Sequence, residues 1–181
     1  MKYIPPMAWY RRTKMALLAL LTLPACGQNK PSTSPTNYDR LLRTLYRNTV
    51  PVVQPTQLAA TLTQKPGTVV LLDTRTPAEY RVSHLQGAQF VDFDSYEKNT
   101  FADLSHDRPV VVYCSVGYRS ERVGERLKAL GFKDVRNLYG GIFQWVNESR
   151  PIYNAAGLTT DIHPYSALWS SWLDKGRKVY E

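Results

Sequence analysis

Cysteine, histidine and long apolar runs are all scarce in this chain of 181 residues. The 3 histidines, His84, His106 and His163, form no grouping that resembles metal ligation. The 2 cysteines are Cys26 and Cys114. If Cys26 is modified in the way its flanking sequence implies below, Cys114 is the only thiol left, no intramolecular disulfide forms, and a two-cysteine redox centre is excluded unless a partner lends a thiol. The apolar stretch at residues 15–23 is too short for the about 20 residues of a membrane-spanning helix. No internal repeat is apparent. The formal charge is +8, yet Lys and Arg form no cluster of the kind that marks a nucleic-acid surface.

What is present begins with a leader. Residues 1–25 place Lys2, Arg11, Arg12 and Lys14 ahead of the apolar stretch, the order of an export signal. The stretch ends Leu23-Pro24-Ala25-Cys26, which resembles the lipobox of bacterial lipoproteins. That resemblance implies cleavage before Cys26, lipidation of its thiol, and an exported protein anchored on the periplasmic or cell-surface side of a bacterial membrane. The alternatives are an ordinary cleaved signal with a chance cysteine, or an uncleaved anchor. Loss of the segment takes Lys+Arg from 23 to 19 against 15 acidic residues, a net charge of +4, so nucleic acid is not an expected partner. After Cys26, residues 27–37 are polar and rich in Pro, Ser and Thr, the composition of a flexible tether.

The folded part starts with a helix. Tyr38, Leu41, Leu42, Leu45 and Tyr46 share one face, with Asn37 as a possible N-cap, and residues 38–50 form an N-terminal addition. From residue 51 the pattern alternates. Strands are expected at residues 51–53, 69–72, 87–92, 110–113 and 135–138, with helices at 57–63, 77–82, 120–130 and 142–147. One or two short helices are expected within 95–104. Such alternation defines an α/β domain with a mostly parallel sheet of about five strands and helices on both faces. Residues 154–181 extend it, with a second expected helix at 166–175 that sets Trp169 and Trp172 on one side. Packing of that helix on the domain is the ordinary use of such a face; a membrane-interface or docking surface is the alternative.

The chemistry concentrates after the strand at 110–113. The run Cys114-Ser115-Val116-Gly117-Tyr118-Arg119-Ser120 joins a strand's carboxyl end to a helix start. The first turn of a helix has unpaired N–H groups and a partial positive charge, so it favours an anion, here the thiolate of Cys114. Ser120 is the expected N-cap, Gly131 the expected C-terminal glycine, and Gly117 relieves crowding in the loop. Arg119 adds a positive charge that attracts an anionic substrate or braces the loop through an acidic neighbour. Asp73 and Arg75 lie at the end of another strand. They either meet the substrate or pair with the loop and hold it in shape, as strand-end polar groups commonly do. His84 is read as structural.

The loop at 114–120 resembles the active-site loop of the rhodanese family of sulfurtransferases. The resemblance extends to Asp73-Thr74-Arg75, to His84-Leu85-Gln86-Gly87-Ala88 and to Leu138-Tyr139-Gly140-Gly141-Ile142-Phe143-Gln144-Trp145, and spans residues 51–153. It implies a rhodanese-like fold and sulfur transfer through a persulfide on Cys114, with the N–H groups of Ser115, Val116, Gly117, Tyr118, Arg119 and Ser120 around the outer sulfur. The expected partners are a small sulfur-containing anion such as thiosulfate, or a protein persulfide or thiol acceptor, with no cofactor or metal. Two alternatives stand beside it. One is a non-catalytic sulfur carrier or docking module. The other is a thiolate phosphatase or arsenate reductase, whose Cys-x5-Arg pattern this loop misses by one residue.

Overall fold

The structure is a computed structural model that describes residues 1–2 and 35–180; the leader, Cys26 and most of the tether lie outside the described residues. The described residues from Pro35 onward form one unit. Its first element, α1 (Asn37–Leu45), is capped by Thr36, one residue before the expected Asn37. The Thr36 hydroxyl accepts the Asp39 N–H while the Asp39 carboxylate takes the Thr36 N–H, so each orphan donor finds an acceptor.

Five strands follow: β1 (Val52–Val53), β2 (Val70–Asp73), β3 (Gln89–Phe90), β4 (Val110–Tyr113) and β5 (Val135–Leu138). They pair in the order β1-β5-β4-β2-β3, every pair parallel. Four helices complete this part: α2 (Pro55–Gln64), α3 (Pro77–Val82), α4 (Tyr118–Ala129) and α5 (Gly141–Asn147).

The central strands are buried on both faces, as continuous β-branched runs in parallel sheets should be. Successive side chains point to opposite faces. Val110 and Val112 thus join a core with Val123 and Leu127 of α4, while Val111 and Tyr113 join another with Leu42 of α1, Leu58 of α2 and Phe143 of α5. All the strands share one carboxyl end, and the loops after β2 and β4 meet there.

The expected strand at 87–92 is only Gln89–Phe90, because the Asp92 carboxylate takes the Asp94 N–H and turns the chain. Residues 95–104 hold a single 3-10 turn, Tyr96–Lys98. The C-terminal extension departs further. It forms a hairpin, β6 (Ile152–Asn154) with β7 (Gly157–Thr159), and a parallel pair, β8 (Asp161–Ile162) with β9 (Arg177–Lys178). The helix expected at 166–175 shrinks to a 3-10 turn, Trp169–Trp172. Ser170 and Ser171 turn their hydroxyls onto the carbonyls of Ala167 and Leu168, the local competition that disfavours helix interiors. Asn147 of α5 then fixes the exit, donating to the Trp172 carbonyl and accepting the Asp174 N–H. The extension does pack on the domain, with Trp172 against Tyr38 of α1 at 5.7 Å between ring centroids. No helix among the described residues is long and apolar enough to cross a membrane.

Candidate active site

Cys114 follows β4 directly and is 1 % exposed, yet it lines a cavity of about 560 Å3. The loop after it is held by its carbonyls. Those of Cys114 and Ser115 accept the N–H groups of Ile142 and Phe143 in the first turn of α5, at 2.9 and 3.1 Å. The Val116 carbonyl accepts the Tyr46 hydroxyl at 2.7 Å, and that of Gly117 accepts the Asn137 amide at 2.9 Å. With four successive carbonyls turned to the scaffold, the N–H groups are turned away from it. The Gly117 N–H points at Cys114 Sγ, 3.1 Å away. Those of Ser115, Val116, Tyr118, Arg119 and Ser120 make no hydrogen bond to any described residue. One sulfur atom thus carries the Gly117 N–H and lies beside a helix start, a kind of site that favours an anion.

Helix α4 begins at Tyr118, not at Ser120, and its N-cap is Gly117 with φ +99°. A side chain could not replace that hydrogen: an added Cβ would run into the Tyr46 hydroxyl. Ser120, expected as the cap, instead sits in the first turn and donates its hydroxyl to Asn137 at 2.8 Å. Gly131, at φ +92°, stands two residues past the end of α4, as expected of a C-terminal glycine.

The supporting charges form two ion pairs, one fully buried and one partly so. Asp73 and Arg75 are both fully buried and bonded to each other, the Arg75 Nη2 to Asp73 Oδ2 distance being 2.7 Å. Arg75 also donates to the Ser83 carbonyl, tying the end of β2 to the end of α3. Of the two readings open for this pair, the geometry fits bracing. Arg119 likewise braces: its Nη2 donates to both Glu79 oxygens at 3.0 Å and to Ser115 Oγ. Glu79 is buried, and Ser115 donates to it at 2.6 Å. Burial alone would raise the Glu79 carboxyl pKa; Arg119, Arg75 and the bonds from Ser115 and Thr76 outweigh it and hold the pKa below the ordinary glutamate value. His84 stacks on Tyr80 at 4.1 Å, away from the sulfur, in the structural place expected of it. Among the described residues no group of His, Cys, Asp or Glu is arranged to hold a metal.

Sequence reasoning missed Glu79, Tyr46 and Asn137, and saw Gly141 only within a block of the resemblance and not as a contact of the cysteine loop. Glu79 had a signal, since Thr76-Pro77-Ala78-Glu79 has the capping-box spacing and forms one here. Tyr46 had only its place on the apolar face of α1. Its hydroxyl joins the cysteine loop to α5, donating to Val116 and accepting the Gly140 N–H at 2.9 Å. Tyr46→Phe leaves both groups without a partner and is expected to cost about 2 kcal/mol. Urea denaturation checks this, and a change below about 0.5 kcal/mol would contradict it.

Residues 54–148 match the model of the rhodanese-like domain, more than half of the chain, and the protein belongs to that family. It is 34% identical over 84 residues to a probable adenylyltransferase/sulfurtransferase, MoeZ, of Mycobacterium tuberculosis, covering 46% of this chain and 21% of that protein. It is 34% identical over 86 residues to a tRNA uridine(34) hydroxylase of Buchnera aphidicola, covering 45% of this chain and 28% of that one. The chain thus spans little more than a quarter of these relatives at most. A solved thiosulfate sulfurtransferase of Pseudomonas aeruginosa superposes with a TM-score of 0.51 at 25% identity, over 58% of this chain and 19% of that one. Tyr46 and the residues after 148 lie outside the family match.

Proposed function

We propose that the protein is a membrane-tethered sulfurtransferase that carries sulfane sulfur on Cys114. The observation that supports this most is the anchoring of the four carbonyls from Cys114 to Gly117, which sets the Gly117 N–H on the buried sulfur and leaves the other N–H groups of the loop without a partner among the described residues. The Cys114 thiolate attacks the outer sulfur of a donor. In thiosulfate the S–S bond breaks, sulfite leaves with its electron pair, and Cys114 becomes a persulfide, Cys–S–S⁻. An acceptor thiolate or cyanide then attacks the outer sulfur and restores the thiolate. Each hydrogen bond to the charged outer sulfur contributes roughly 1.5–3 kcal/mol, and several together hold the persulfide. Sulfurtransferase relatives support the chemistry; the sequence before and at Cys26 supports export and a lipid anchor.

One experiment tests both parts. The full chain is purified from bacterial membranes, incubated with thiosulfate and read by intact mass and peptide mapping, then given cyanide. The expected result is a chain starting at acylated Cys26, one added sulfur on Cys114, and thiocyanate release, with neither adduct nor thiocyanate in Cys114→Ser. A sulfur adduct without turnover would replace the enzyme by a carrier. Hydrolysis of p-nitrophenyl phosphate without an adduct would replace it by a phosphatase.

A further inference from the structure

The cavity over Cys114 is larger and more apolar than a small inorganic anion needs. Its about 560 Å3 falls among pockets that hold organic ligands, roughly 300–1,000 Å3. Its walls include Pro77 and Phe93 of the family domain, but also Leu45 of α1 and Tyr165 and Trp169 of the C-terminal extension. The last three lie outside residues 54–148. Tyr165 is placed there at a conformational cost, its φ being +65°, a backbone conformation that a bulky residue seldom adopts. His163 Nδ1 accepts the Tyr165 N–H at 3.0 Å, and the Tyr165 ring, 49 % exposed, lies 4.9 Å from Arg119 Cζ.

Charge points the same way. The two arginines on the cavity wall are already matched, Arg75 by Asp73 and Arg119 by Glu79. Asp92 and Asp94, also on the wall, make no ion pair with a described residue. The ionised side chains of the lining are therefore acidic on balance, which weighs against a small dianion away from the N–H groups of the Cys114 loop.

Resting on the sulfur-transfer reading above, we infer that the donor is an organic persulfide with an apolar, non-anionic body, which Leu45, Tyr165 and Trp169 select. The Cys114 thiolate attacks the outer sulfur of R–S–SH. A new S–S bond forms as the donor's S–S bond breaks, and the electron pair leaves with R–S⁻. The outer sulfur keeps its oxidation state, and its proton passes to solvent from the Cys114 persulfide. Leu45, Tyr165 and Trp169 hold the R group and take no part in the bond changes.

Stable probes test this on the full chain. Benzenethiosulfonate and methanethiosulfonate share one reacting sulfur and differ in the body; thiosulfate is similar in size to the second but doubly charged. With cyanide as acceptor, the kcat/KM ratio of the benzene to the methane donor is expected to fall about tenfold in Tyr165→Ala and in Trp169→Ala, and to persist in Tyr165→Phe. Asp94→Asn is expected to raise kcat/KM for thiosulfate severalfold relative to methanethiosulfonate. A second readout needs no variant: benzenesulfinate should shield Cys114 from iodoacetamide, mapped by peptide mass, at about one tenth the concentration of methanesulfinate. Equal shielding by the two sulfinates, or a donor ratio unchanged in the folded variants, overturns the inference while sulfur loading of Cys114 stands. Absence of sulfur on Cys114 from every donor overturns the sulfur-transfer reading itself.

Discussion

Glu79→Gln is expected to destabilise the fold by about 3–5 kcal/mol, as the breaking of a buried ion pair does, and to slow sulfur loading of Cys114 about a hundredfold, the cost of a misplaced reacting group. The carboxylate accepts from Ser115 Oγ, from Arg119 Nη2 and from the Thr76 N–H and hydroxyl. An amide can accept at one end only. Its NH2 would meet a donor on either side, and Arg119 would lose its counter-charge. Because Ser115 is the residue after the cysteine, the loop would shift with it.

The same group sets an acid limit. Its folded-state pKa is lowered, since Arg119, Arg75 and the hydrogen bonds outweigh burial. A depressed carboxylate contributes stability that is complete above its unfolded value of about 4.3 and disappears as pH falls through the lower folded value. Stability measured against pH below about 4.5 should fall more steeply in the wild-type chain than in Glu79→Gln. Parallel acid limbs, or a loss under about 1 kcal/mol at neutral pH, would show that the network does not hold the loop.

The sheet and the cysteine loop were legible because their signals are local. Four successive β-branched or aromatic residues, Val110–Tyr113, suit a strand buried on both faces, as in the centre of a parallel sheet, and Val123, Leu127 and Leu130 show the helical period. The helix start was misplaced because Ser120 has a better partner than its own backbone. That partner, Asn137, comes from a neighbouring strand. Glu79 was visible as a helix cap but not as the anchor of Ser115, a contact across 36 residues of sequence. The same limit hid Tyr46, Tyr165 and Trp169. Each reads as an ordinary aromatic until the terminal extensions fold against the carboxyl end of the sheet. The tryptophan pattern at 166–175 misled for a related reason, since Asn147 and the β8–β9 pair fix that segment from outside it.

Gly141→Ala is expected to cost about 3–5 kcal/mol and to abolish sulfur loading, because two separate penalties fall on one atom. Gly141 adopts φ +58°, and its hydrogen faces the cysteine loop. An added Cβ would overlap the Cys114 carbonyl and come within 2.6 Å of the Ser115 carbonyl oxygen. Both belong to backbone and cannot swing aside. Those carbonyls are bonded to the N–H groups of Ile142 and Phe143, so moving them breaks the bonds that aim the loop's donors. Gly87→Ala supplies the comparison. Gly87 has φ +73° but no atom within 4 Å of an added Cβ, so only backbone strain applies, about 1 kcal/mol. Urea denaturation of both variants separates strain from overlap, and mass analysis after thiosulfate reads the loop. If the two alanines cost the same and Cys114 still takes up sulfur in Gly141→Ala, close contact between α5 and the loop is not what shapes the site.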